Sequence, residues 1–94
     1  MEQPKASQGS YHRDINLAIH QAFYTKDDRV LPVAIDLLSA MSLLNRVHGG
    51  VYKIARTTHH IYMVDLGTGR VTFDKLLSRA ICLALLQKEG IELS

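Results

Sequence analysis

The chain predicts an α+β domain built from two N-terminal helices, a two- or three-stranded antiparallel meander and one C-terminal helix. Three observations predict it. Apolar residues recur at helical spacing from Ile15 to Phe23 and again from Leu31 to Val47. Between Val51 and Phe73 the composition turns to β-branched and aromatic residues, interrupted by Gly67-Thr68-Gly69. From Leu76 to Leu86 every residue except Ser78 and Arg79 is apolar.

Residues 1–9 are polar, with Pro4, Gly9 and only Ala6 apolar after Met1. They predict a disordered tail, leaving residues 10–94 as a single domain. Ser10 is the expected N-cap of the first helix. Ile15, Ala18, Ile19, Ala22 and Phe23 then fall on one face. His12, Arg13, Asn16, His20 and Gln21 fall on the other.

Thr25 to Arg29 is a polar break, and Asp28 is expected to cap the second helix, with Pro32 tolerated in its first turn. Val33, Ala34, Leu37, Leu38, Ala40, Met41, Leu44 and Val47 form a broad apolar face. Asp36, Ser39, Ser42, Asn45 and Arg46 form a polar seam into which Ile35 and Leu43 intrude. His48, Gly49 and Gly50 are expected to end this helix, glycine supplying a left-handed stop.

The runs Ile61–Val64 and Val71–Phe73 predict two strands, and residues 51–56 a third. A two-residue Gly67-Thr68 loop would pair Asp65 with Arg70, Val64 with Val71 and Tyr62 with Phe73, setting opposite charges beside the turn. A three-residue loop with Gly69 left-handed in a bulge shifts every pair by one. The first register is preferred. Asp74 is expected to cap the last helix. Gly90 ends it, with Lys88 placed at the negative end of the helix dipole.

Composition narrows the function classes. A chain of 94 residues makes one domain with a limited core of its own. Net charge is +2, and the 11 Lys and Arg are interleaved with 9 carboxylates rather than clustered. The single Cys82 excludes an intramolecular disulfide, sits in the most apolar segment and fits a reducing compartment. The polar N-terminus has no apolar signal region, and no apolar run reaches the length of a membrane span. The reading is cytoplasmic, with no membrane association.

Motifs for chemistry are thin. The 5 His include no pair at chelating helical spacing, and His59 and His60, adjacent in a strand, would point to opposite faces. No metal, cofactor-binding or catalytic residues are assigned, and the chain is not expected to be an enzyme. Apolar neighbours deny Cys82 the stabilised thiolate a nucleophile needs. Gly67 and Gly69 lie between two strands, so they do not form a dinucleotide loop. Lys53, Arg56, His59 and Arg70 all fall in the hairpin half and are the candidate contacts for a nucleic acid or another partner. A recognition helix is not present, because residues 31–38 offer base edges only Asp36.

The excess of apolar residues in the last helix carries the functional expectation. Ile81, Cys82, Leu85 and Leu86 together span most of its circumference, too much for one small core, and Leu77 and Ala84 extend that surface, so Leu77, Ile81, Ala84 and Leu85 are expected at a homodimer interface. The sequence predicts a small non-enzymatic interaction or regulatory module that binds itself and another protein. The alternative is a nucleic-acid-binding regulator using the basic hairpin half.

Overall fold

The computed structural model describes residues 4–24, 29–57 and 59–91, and in the first helix the side chains from Arg13 on. Its order is helix α1 (Pro4–Phe23), a 3-10 turn (Val33–Ile35), helix α2 (Leu37–Val47), strands β1 (Lys53–Arg56), β2 (Tyr62–Asp65) and β3 (Val71–Asp74), and helix α3 (Leu77–Lys88). The α+β class and the element order read from the sequence are those of the structure. No helix among the described residues is long and apolar enough to cross a membrane.

Helix α1 starts at Pro4, not Ser10. Proline suits a first turn, whose N–H groups have no intrahelical partner, and Lys5, Ala6 and Gln8 are favourable helix formers. Residues 4–9, read as tail, are therefore helical, and residues 1–3 lie outside the described residues. The apolar face is the expected one: Ile15 and Ile19 are fully buried, with Ala18, Ala22 and Phe23 packed beside them.

The second helix is broken. Asp36 is extended (φ −119°, ψ 104°) and separates the 3-10 turn from α2. Its Oδ2 accepts the Ser39 hydroxyl at 2.8 Å, so Asp36 organises the first turn of α2. Asp28, the expected cap, lies outside the described residues. Within α2 the inward stripe is Ala40, Leu43, Leu44 and Val47. Leu43, which the sequence placed in the polar seam, is core, while Leu38 is 80% exposed. The helix ends on an extended His48 (φ −114°, ψ 104°), not on a left-handed glycine.

The sheet has the order β1-β2-β3, antiparallel throughout. Its register is Asp65↔Val71, Val64↔Thr72, Met63↔Phe73 and Tyr62↔Asp74. That is the shifted pairing of the three-residue loop, not the preferred Asp65–Arg70 pairing. Gly67 (φ 80°) and Gly69 (φ 90°) are both left-handed, and the Gly67 N–H donates to Asp65 Oδ1 at 2.8 Å. A β-branched residue is costly in that conformation, so Gly67→Val or Gly69→Val is expected to lower stability by roughly 1 kcal/mol or more. Urea melts would show it, and an unchanged midpoint would refute the turn geometry.

Helix α3 is the middle of the molecule. One side packs on β2 and β3, and the rest packs on α1, α2 and the 3-10 turn; among the described residues none of those three touches a strand. This explains the helix with almost no polar face: Ile81, Cys82, Leu85 and Leu86 are all buried within the one chain. Asp74 does not cap α3 directly. Leu76 is the N-cap, and Asp74 Oδ1 accepts its N–H at 3.0 Å. The C-terminus closes as expected on Gly90 (φ 77°), with Gly90 N–H bonded to Gln87 O and Ile91 N–H to Leu86 O.

Polar groups stitch the layers together. Ala34 in the 3-10 turn donates its N–H to Asn16 Oδ1 on α1 at 2.7 Å. Its carbonyl accepts the Ser78 hydroxyl of α3, also at 2.7 Å. Thr72 of β3 donates its hydroxyl to Ala80 O of α3 at 2.8 Å.

Candidate functional site

The expected dimer interface is interior. Ile81 is 0%, Ala84 5% and Leu85 1% exposed within a single chain, and Leu77 is half-buried against the same core. The apolar surface of α3 is wide for so short a chain to cover. The meander on one side and three helical segments on the other do cover it, so Ile81, Ala84 and Leu85 are not an available contact surface and Leu77 is only partly one.

The candidate cations do not converge. Lys53 stands on the sheet face that carries Asp65, at the end of the sheet where Arg70 occupies the β2–β3 turn. Arg56 is three strand residues away, about 10 Å at the usual rise, on the opposite face. There its Nη2 lies 3.2 Å from His60 Nδ1. His59 belongs to that far turn, where its N–H donates to Thr57 Oγ1 at 3.2 Å. All four side chains are exposed, two at each end of the sheet.

Among the described histidine side chains, His48 is the buried one. It is 8% exposed, with Nε2 at 3.3 Å from Val51 O and Nδ1 at 3.1 Å from Lys88 Nζ. An ammonium can only donate, so Nδ1 accepts from Lys88 and Nε2 donates to Val51. The ring thus ties the α2–β1 connection to the end of α3. Its position directly after an apolar helix was the only sequence signal. Among the described residues, no three His, Cys, Asp or Glu side chains are grouped so as to hold a metal.

Burial pushes the Cys82 thiol up to about 12. The neutral thiol is thus the native form, and Cys82 is not an available nucleophile. Native protein at pH 8 is expected to resist a thiol-specific disulfide reagent and to react fully once unfolded in guanidinium. Rapid reaction of the native chain would contradict the packing of α3.

What the surface does offer is apolar. The inner face of the sheet, with Ile54, Val64 and Thr72 in one row, lies towards α3. The outer face carries Ala55, Met63 and Phe73 in the next row and Val71 beyond them, with no helix over it among the described residues. Phe73 is 55% and Val71 37% exposed, and Leu76, directly after the strand, is 38% exposed. A second exposed group, Val30, Ile35, Leu37 and Leu38, surrounds the break before α2. The β3 group differs in having an open strand edge beside it, since among the described residues β3 touches no helix or strand but β2 and α3. Sequence reasoning missed this surface because the preferred register put Phe73 opposite Tyr62 on the packed face.

Compared with known proteins, the chain matches no family model, no curated sequence and no solved structure at a significant level.

Proposed function

We propose that the chain is a small non-enzymatic interaction module of the cytoplasm, acting in regulation by binding other macromolecules through the outer face of its meander. The observation that supports this most is the pairing of exposed Val71, Phe73 and Leu76 with an uncovered strand. An aromatic ring held half-exposed on a rigid sheet costs little ordering entropy on binding, which suits it as an anchor. The buried, neutral Cys82 favours binding over thiol chemistry. The separation of Lys53 and Arg70 from Arg56 and His59 weighs against a continuous track along a phosphate backbone.

The test is affinity capture with the wild-type chain beside a Phe73→Lys variant of verified fold. The expected result is a partner protein retained by the wild type and lost from the variant. A partner set that Phe73→Lys leaves unchanged would refute the surface. Retention of nucleic acid instead, released by moderate salt, would favour the basic hairpin half.

A further inference from the structure

We infer that His48 and Lys88 form an acid-released clasp, which holds the segment leading into β1 against the end of α3 only while the imidazole is neutral. Both ring nitrogens are committed. Nε2 donates to Val51 O at 3.3 Å, and Nδ1 accepts from the Lys88 ammonium at 3.1 Å. This arrangement requires the neutral ring with its proton on Nε2. The ring is 8% exposed. It packs over Gly50, where an added Cβ would stand 3.6 Å from Nε2, and lies tilted 6.4 Å from the Tyr52 ring. Histidine is the side chain that ordinarily changes charge between about pH 5 and 8. A second proton has only Nδ1 to occupy, and there it points at an ammonium that cannot accept it.

The surroundings decide which group yields. On α3 the charged neighbours are Lys88 itself and Glu89 beyond it. On the connection the titratable group is Tyr52, and on α2 it is Arg46, whose guanidinium lies 4.8 Å over the Tyr24 ring. Among the described residues no carboxylate is within ion-pair distance of His48 or Lys88. Nothing therefore offsets two cations in contact. The last carbonyls of α2 favour a positive charge on the residue that ends it. The ring keeps the proton, and Lys88, exposed and on a flexible stem, is expelled.

The consequence falls on β1. Strands β2 and β3 pack on α3, whereas among the described residues β1 touches β2 alone. What fixes β1 is its ladder with β2, Ile54 against the core, and the connection that carries His48 and Tyr52. Expulsion of Lys88 unties that connection from α3. The four-residue edge strand then opens more often, while β2, β3 and α3 stay together.

Amide exchange at about pH 7.5 and about pH 5.5, corrected for the intrinsic rate at each pH, is the test. The amides of β1 that bond to β2 are expected to open roughly fivefold more often at the lower pH, with the interior of α3 unchanged. Lys88→Met keeps an unbranched apolar stem at an exposed position and removes the ammonium. Its β1 amides should open equally at both pH values, at the rate of the acid wild type. Ring nitrogen shifts of the wild type at the higher pH should place the His48 proton on Nε2. Equal β1 opening at both pH values in the wild type would overturn the inference, as would a pH response that Lys88→Met leaves intact. A His48 proton found on Nδ1 would overturn it too. So would an acid response shared by the interior of α3, which would mark a loss of global stability instead of a released strand.

Discussion

Leu85→Asp is expected to leave the chain unfolded at 25 °C rather than to release a folded monomer. Leu85 is 1% exposed in the middle of α3, in the core that joins the meander to the other helices. A carboxylate there must be neutralised or hydrated, and the apolar contacts of the leucine are lost as well. Together these costs exceed about 5 kcal/mol, most of the stability of a domain this small. Far-UV circular dichroism and the dispersion of the amide NMR spectrum report the outcome. A folded, soluble monomer would show that α3 is peripheral, as an interface helix would be. Leu38→Asp is the matched control. At 80% exposure it is expected to change stability by no more than about 0.5 kcal/mol.

The second large effect is expected at Asp74. Its Oδ1 receives Arg79 Nε at 2.7 Å and the Leu76 N–H at 3.0 Å, and forms an ion pair with Arg79 Nη2. The two side chains are 8% and 11% exposed, so the pair is shielded from water. Asp74→Ala takes these acceptor bonds from a shielded guanidinium and from the N-cap residue of α3. The expected loss is about 3 kcal/mol, read as a lower urea midpoint at constant m-value. Asp74→Ala with Arg79→Leu should recover part of it, because the second change removes the guanidinium left behind. A loss below about 0.5 kcal/mol for Asp74→Ala would place the pair among ordinary surface ion pairs.

Period and punctuation carried the fold. The spacing of Ile15 and Ile19, the β-branched run after Val51 and the glycine after Lys88 each express a local rule that the chain obeys. The misses have a common cause. A broad apolar run such as Leu31–Val47 does not show where a helix stops, because leucine and valine read alike on either side of Asp36. The hairpin register turned on one residue of loop length, and that one residue moved Phe73 from the packed face to the open one. The same flip hid the candidate site. The apolar excess of α3 was legible, but its meaning was not: whether a second copy or the same chain covers it depends on how β2, β3 and α1 fold back, which no local pattern records. Asn16 and Ser78 looked like a polar face and an interruption. They are the groups that bond Ala34.

Ala34 is held through both its N–H and its C=O, by partners 18 residues before it and 44 after it. Departure of α1 breaks the Asn16 bond and departure of α3 the Ser78 bond, and either loss strands a buried polar group. Opening of the N-terminal half is thereby tied to opening of the C-terminal half. In deuterated buffer the Ala34 amide should exchange only through global unfolding, although it lies in a three-residue turn, where rapid local fraying would otherwise be the rule.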